Sequence, residues 1–143
     1  MAKLYFKYGS MGSSKTANAL MTRFNYEEKG KSVLLLKPSA DTRDGETILR
    51  SRIGLEAKAI VIGHDTDIKN FLLEHFWHKS DKCFTFDVII VDEVQFFAKK
   101  QIVTLRNIAS YMDIPVICYG LRTNFKGELF EGSKALFELA DSI

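Results

Sequence analysis

The sequence predicts an α/β fold in which a parallel β-sheet is flanked by helices. Strand-like and helix-like segments alternate along the chain, which is typical of this class. Residues 32–37 and 86–91 are largely apolar runs, as expected for central parallel strands that are covered on both faces. Gly9 and the pair Asp92 and Glu93 each follow a predicted strand, and ligands of such sheets bind beyond the carboxyl ends of the strands.

The first predicted elements are a strand at residues 3–8, a helix over Lys15–Glu28 and a strand at residues 32–37. The helix is indicated by apolar and aromatic residues at helical spacing, and Gly30 supplies the C-cap. Residues 38–54 are polar and fit no period, so we predict a loop there.

In the second half we predict a strand at residues 59–62, a helix at 67–76 and a buried strand at 86–91. Thr66 or Asp67 is the expected N-cap of that helix. A helix at 99–112, a strand at 115–119 and a closing helix at 133–140 complete the pattern. Residues 120–132 lie between the last two elements and are rich in glycine and aromatic residues.

Length and composition indicate one globular domain, residues 1–143. Hydrophobic residues make up 46% and charged residues 27%, and the net charge of +2 is too small to favour nucleic acid or a membrane surface as a partner. No run approaches the roughly 18 apolar residues of a membrane span, and the chain enters its first strand directly. We therefore expect a cytoplasmic location.

The cysteines and histidines give no metal signal. Cys83 and Cys118 are far apart and neither belongs to a C-x-x-C pair, so we predict two reduced and mostly buried thiols. His64, His75 and His78 form no metal-binding pair and are predicted to be surface or helix-face residues.

A near match to the P-loop follows the first strand. The P-loop pattern G-x-x-x-x-G-K-[ST] wraps backbone N–H groups around phosphates, directs its lysine to them and places a hydroxyl on Mg²⁺. Gly9, Lys15 and Thr16 fit, whereas Ser14 replaces the second glycine and weakens the match. The predicted ATP-binding loop comprises Gly9, Ser10, Met11, Gly12, Ser13, Ser14, Lys15 and Thr16.

A second signal is the acidic pair at the end of the strand at 86–91. One carboxylate at such a position can hold Mg²⁺ or its waters while its neighbour accepts a proton. Alone, Asp92 and Glu93 would fit a solvated turn equally well. Together with the predicted P-loop they favour a nucleotide site.

Four motifs in the same order resemble the cytosolic thymidine kinases of the tetrameric, zinc-ribbon type (type II). They span nearly the whole chain, at residues 9–16, 41–43, 92–97 and 120–133. The resemblance implies a P-loop NTPase fold of the RecA-like kind and transfer of the γ-phosphoryl group of ATP to the 5′-hydroxyl of thymidine.

The resemblance also implies roles for individual residues. Lys15 would bind the transferred phosphoryl group, Thr16 would ligate Mg²⁺ and Asp92 would support the metal through water. Glu93 would be the general base, while Asp41 and Arg43 would lie near the phosphates and the 5′-hydroxyl. Gln95, counted with Asp92 among the ATP-binding residues, would assist at the acceptor end. The residues implied to line the base pocket are Met11, Phe96, Leu121, Phe125 and Phe130.

Ordinary structural roles compete with several of these assignments. Phe96, Phe97, Phe125 and Phe130 would also fit a hydrophobic core, and Arg43 would fit a solvated loop.

Family members continue beyond the position of Ile143 with a zinc ribbon and a loop that holds the base, so zinc is expected only in that segment. The resemblance further implies feedback by dTTP and a homotetramer or homodimer. An alternative is a nucleotide-binding module with weak or no turnover, because of Ser14 and the missing ribbon. A nucleic-acid-stimulated ATPase is disfavoured because it needs a second core domain and a basic track.

Overall fold

A computed structural model describes residues 2–9, 15–39, 48–50, 56–124 and 126–143, of which residues 48–50 and 56 are described by their backbone alone. The predicted roles of eight residues fall outside the described residues: Ser10, Met11, Gly12, Ser13, Ser14, Asp41, Arg43 and Phe125.

The helices of the described residues follow the predicted pattern closely. They are α1 (Lys15–Glu28), α2 (Ile68–Phe76), α3 (Lys99–Tyr111) and α4 (Glu131–Leu139), with a short 3-10 helix at Val94–Phe96. Asp67 caps α2 by accepting a hydrogen bond from the Asn70 amide, as predicted. Gly30, which follows α1, has a φ of 78° and so adopts the left-handed conformation expected after a helix. None of these helices combines the length and apolar character needed to cross a bilayer.

The strands of the described residues are β1 (Leu4–Gly9), β2 (Val33–Pro38), β3 (Ile48–Arg50), β4 (Glu56–Lys58), β5 (Ile60–Ile62), β6 (Trp77–His78), β7 (Cys83–Phe84), β8 (Val88–Val91) and β9 (Val116–Leu121). Five of them form a parallel sheet in the order β1-β9-β8-β2-β5. This parallel sheet with flanking helices confirms the predicted α/β class.

Helices cover both faces of the sheet. On one face, Ala19 and Leu20 of α1 pack against a cluster that includes Leu35 and Ile90. On the other face, α2, α3 and α4 pack against the neighbouring strand positions; the core residues of these helices include Ile68, Leu72, Ile102, Leu105, Ile108 and Leu136. Because successive side chains of a strand alternate between faces, all four residues of β8 are buried, which explains its unbroken apolar sequence.

The prediction of a loop over residues 38–54 is wrong at Ile48–Arg50, which pairs with Glu56–Lys58 as an antiparallel hairpin. A second small hairpin joins β6 to β7 and was also not predicted. Neither hairpin could be predicted from periodicity, because strands of two or three residues are too short to show a period.

The thiols differ from the prediction in one case. Cys118 lies buried in β9, and burial raises the pKa of its thiol well above the ordinary value. Cys83 is exposed in the β6–β7 hairpin, so the prediction that both thiols are mostly buried is wrong for it. The three histidines are exposed, as predicted.

The last residues of the chain run beside β1 at the edge of the sheet. The Leu4 amide donates a 2.8 Å hydrogen bond to the Asp141 carboxylate, and the Phe6 amide donates a 2.9 Å bond to the Ser142 carbonyl. Arg106 of α3 lies 2.6 Å from the same carboxylate. These contacts cover an edge strand that would otherwise expose unpaired backbone groups.

Candidate active site

The site lies at the carboxyl edge of the sheet. In a parallel sheet all strands end at the same edge. There β1 ends at Gly9, and α1 begins at Lys15 after the predicted loop. The strand β8 ends at Val91 and is followed directly by Asp92. Only β9 lies between β1 and β8 in the sheet order, so the two predicted halves of the site lie near each other.

Asp92 and Thr16 join these halves directly. The Thr16 hydroxyl, in the first turn of α1, donates a 2.7 Å hydrogen bond to Oδ2 of Asp92. The Asp92 side chain is fully buried, and its amide donates a 3.0 Å bond to the Leu36 carbonyl of β2. Lys15, which precedes Thr16, is partly buried in the same first turn. The structure therefore brings together the predicted residues Lys15, Thr16 and Asp92.

Glu93 has an unusual backbone conformation. Its φ of 52° and ψ of 39° lie in the left-handed region, which non-glycine residues adopt at a cost on the order of 1 kcal/mol or more. This conformation turns the chain from β8 into the 3-10 helix at Val94–Phe96, whose turn closes with a 3.2 Å hydrogen bond from the Phe96 amide to the Glu93 carbonyl. The side chain of Glu93 is half-buried beside Asp92.

Gln95 connects Glu93 to the end of β9. Its Nε2 donates a 2.5 Å hydrogen bond to Oε2 of Glu93, and its Oε1 accepts a 3.1 Å bond from the Leu121 amide. Gln95 is only 2% exposed. Both ends of its amide are therefore used inside the protein.

Small residues allow the 3-10 helix to fit between β9 and α4. A Cβ on Gly120 would lie 2.5 Å from Oε1 of Gln95, and a Cβ on Gly132 would overlap the Val94 carbonyl and lie 3.0 Å from the Phe97 carbonyl. The Ser133 hydroxyl donates a hydrogen bond to the Leu121 carbonyl. Gly120, Gly132 and Ser133 had no predicted role, although glycines at a strand end and in the first turn of a helix were a usable signal.

Two of the predicted pocket aromatics meet beside a cavity. The rings of Phe96 and Phe130 pack edge to face, with centroids 5.6 Å apart and planes at 74°. Both line a cavity of about 330 Å³, a volume in the range of small-molecule sites. Phe96 is 39% exposed, whereas Phe97 is 1% exposed and belongs to the core. Gln95 also lines this cavity, and the Leu121 amide is connected to it by its hydrogen bond to Gln95.

Two other buried residues with polar groups, Lys37 and Tyr119, were not singled out from the sequence. Lys37 of β2 is 1% exposed, and a lysine within an apolar run was the available signal. Tyr119 of β9 shares a 2.7 Å hydrogen bond with the Thr22 hydroxyl of α1. Burial raises the pKa of Tyr119, and the negative charge of Asp92 acts in the same direction.

The donor set at the edge suits Mg²⁺. Thr16 and Asp92 present a hydroxyl and a carboxylate oxygen at one point, and Mg²⁺ prefers such oxygen ligands together with water and substrate phosphates. Within the described ranges, no group of three or more His, Cys, Asp or Glu side chains is arranged to hold a metal ion.

The fold and the site define an α/β protein with a hydroxyl, a buried carboxylate and a second acidic side chain at the carboxyl edge of a parallel sheet, the edge where ligands of such sheets bind. A profile of the family TK, thymidine kinase, matches residues 2–143. The chain belongs to the thymidine kinase family.

Individual relatives agree with the family match. A thymidine kinase of Zymomonas mobilis subsp. mobilis is 43% identical over 143 residues, which cover all of this chain and 72% of that protein. Thymidine kinases of Streptococcus pyogenes serotype M3 and Streptococcus gordonii are each 41% identical over the same length, which covers 72% and 71% of those proteins.

Proposed function

We propose that this chain transfers the γ-phosphoryl group of ATP to the 5′-hydroxyl of thymidine, giving dTMP and ADP, and that residues 1–143 act as one nucleotide-binding kinase domain. The observation that carries the proposal is the hydrogen bond between Thr16 and Asp92. Glu93, the residue after Asp92, adds a second carboxylate beside this contact. Membership of the thymidine kinase family supports the same reaction.

At the donor side, the loop at residues 9–16 would bind the phosphates of ATP, and Lys15 would bind the transferred group. Thr16 and Asp92 would hold Mg²⁺, Asp92 partly through water. Bound there, Mg²⁺ would offset the negative charge of the phosphate oxygens. The chain itself contributes fixed positions, because Thr16 is in the first turn of a helix and Asp92 is fully buried.

At the acceptor side, Glu93 would act as the general base. The 5′-oxygen forms the new bond to the γ-phosphorus, the bond from that phosphorus to the bridging oxygen of ADP breaks, and the hydroxyl proton moves to the Glu93 carboxylate. The nucleoside base would lie in the cavity beside Phe96 and Phe130.

Other proposed contacts fall outside the described residues. Met11 and Phe125, together with Leu121, would complete the wall around the base. Asp41 and Arg43 would lie near the phosphates and the 5′-hydroxyl. These assignments rest on the resemblance described above.

The experiment that tests the proposal compares the protein with its Glu93→Gln variant. With Mg·ATP and thymidine, we expect the wild-type protein to form dTMP, and we expect the variant to lose at least about 10²-fold in kcat, because it lacks a carboxylate to accept the proton. Chromatography of the products measures transfer, and calorimetry with a non-hydrolysable ATP analogue measures nucleotide affinity, which should stay within about threefold.

Three other outcomes would overturn parts of this proposal. Nucleotide binding by the wild-type protein without dTMP would leave the alternative of a binding module. The absence of nucleotide binding would reject the site itself. Equal losses of nucleotide affinity and turnover in Glu93→Gln would make Glu93 a structural residue.

We further propose a homotetramer or homodimer, feedback by dTTP and a cytoplasmic location. These proposals rest on the resemblance to tetrameric thymidine kinases. Sedimentation of the purified protein tests assembly, and a monomer at micromolar concentration would contradict it. The rate of dTMP formation with and without dTTP tests feedback, and an unchanged rate would contradict it.

A further inference from the structure

We infer that Gln95 is a positioning residue that transmits the state of the base pocket to the general base Glu93. This inference rests on the proposed function, and it assigns to Gln95 an action on kcat through Glu93 in place of a contact with ATP. Its evidence is the pair of hydrogen bonds that Gln95 makes, the position of Gly120 and the backbone of Glu93.

The orientation of the Gln95 amide is fixed at one end. An amide nitrogen only donates hydrogen bonds and an amide oxygen only accepts them. The Leu121 amide is a donor, so it selects Oε1 of Gln95 and turns Nε2 toward Glu93. Because Gln95 is 2% exposed, rotation to another orientation would leave buried groups without hydrogen bonds.

The Leu121 end belongs to the segment that reaches the cavity. The Leu121 carbonyl accepts the Ser133 hydroxyl, and Thr123 pairs with Leu129 just before Phe130. Phe130 lines the cavity and packs on Phe96. A pyrimidine nucleoside that packs against these rings would therefore also fix the segment to which Gln95 is bonded.

The Glu93 end needs such support. Its left-handed backbone is unfavourable for a non-glycine residue and persists only where surrounding contacts hold it. The Gln95 amide is one of these contacts, and it sets the direction of the carboxylate that would receive the proton. A shift of about 1 Å in a catalytic group can lower turnover by about 10²-fold.

The test uses Gln95→Met, which keeps length and volume but loses both hydrogen bonds. We expect kcat for dTMP formation to fall by about 10²-fold, with KM for ATP and for thymidine within about threefold. A large rise in KM for ATP would instead make Gln95 a nucleotide ligand, and an unchanged kcat would show that the bonds do not position Glu93.

Arg106→Met is the control for the loss of polar contacts in a partly buried setting. Arg106 bonds the Leu139 carbonyl and Asp141, and Asp141 accepts the Leu4 amide at the start of β1, the opposite edge of the sheet from Glu93, so this variant should lower the melting temperature and leave kcat unchanged below it. A similar loss of kcat in Arg106→Met would reduce the Gln95 effect to general destabilisation.

Gly120→Ala provides a second route to the same amide. Its Cβ would meet Oε1 of Gln95, so it should displace the amide and lower kcat as Gln95→Met does. The double variant should then be no slower than the slower single variant, because both changes break one connection. If the kcat losses of the two single variants instead multiply in the double variant, Gly120 and Gln95 do not act through one connection. If Gly120→Ala does not fold, the kcat and KM values of Gln95→Met alone test the inference.

A failure of the proposed function would look different. In that case the wild-type protein forms no dTMP at all, whereas failure of the Gln95 inference leaves an active enzyme whose kcat does not depend on residue 95.

Discussion

Thr16 and Asp92 are separated by 76 positions in the sequence, yet one 2.7 Å hydrogen bond joins their side chains. Both residues were predicted from the sequence to belong to one site, because the P-loop pattern and an acidic strand end have known chemical uses. The contact itself could not be predicted, since it depends on β9 inserting between the two strands. Likewise, no sequence pattern indicates that Glu93 takes a left-handed backbone, which glycine normally supplies.

Replacement of Thr16 tests the metal role. Thr16→Val keeps the shape of the side chain and removes its hydroxyl, so we expect at least a tenfold higher Mg²⁺ concentration for half-maximal dTMP formation and a stability loss of about 1 kcal/mol. Thr16→Ser keeps the hydroxyl and should remain close to wild type. Initial rates over a Mg²⁺ series measure the effect, and identical curves for Val and Ser would remove Thr16 from the metal site.

At the level of elements, periodicity located α1, α2 and α3 well because each buries a face with helical spacing. The 3-10 helix at Val94–Phe96 was missed, since residues 92–97 contain no glycine or proline to indicate a turn. The β6 strand follows α2 without a break, so no signal marked the change from helix to strand. The site therefore depends on an element that tertiary packing, more than local sequence, determines.

The packing of α4 against the 3-10 helix can be tested at Gly132. Gly132→Ala would place a Cβ against the Val94 and Phe97 carbonyls, which are backbone and cannot move aside as a flexible side chain can. We expect a loss of about 1–3 kcal/mol in the free energy of unfolding. Gly30→Ala is the comparison, because its Cβ would meet no atom within 4 Å and only the positive φ is strained, at about 1 kcal/mol.

Urea denaturation of both variants measures the difference. A smaller loss at Gly132 than at Gly30 would show that α4 can shift away from the turn at little cost.

For the whole molecule, the alternation of segments was sufficient to predict a parallel sheet covered by helices on both faces. The order of the strands was not predictable, because it is set by long-range pairing that leaves no local pattern. The pairing of the last residues with β1 is another long-range feature, held by Asp141.

This terminal contact predicts a pH dependence of stability. The Leu4 amide and the Arg106 guanidinium hold the pKa of Asp141 below its ordinary value. The unfolded carboxyl titrates near pH 4, so the contact contributes stability above that pH and loses it as the pH falls through the lower folded pKa.

Asp141→Asn should therefore lower the melting temperature at pH 7, and the difference from wild type should shrink below about pH 4. The effect is modest, below about 1 kcal/mol, because the side chain is partly exposed and screened by solvent. Calorimetric melting between pH 3 and pH 7 provides the measurement. A constant difference at every pH would mean that the charge of Asp141 is not involved.

The central position of β9 has a consequence for biosynthesis. On a translating ribosome, Thr16 and Asp92 emerge before Val116–Leu121, the strand that joins their two halves of the sheet. In the described sheet β1 pairs only with β9. A nascent chain that ends at β8 therefore has no strand of this sheet to pair with β1. The contact between Thr16 and Asp92 thus forms only after this last strand of the described sheet has been synthesised and has inserted between β1 and β8.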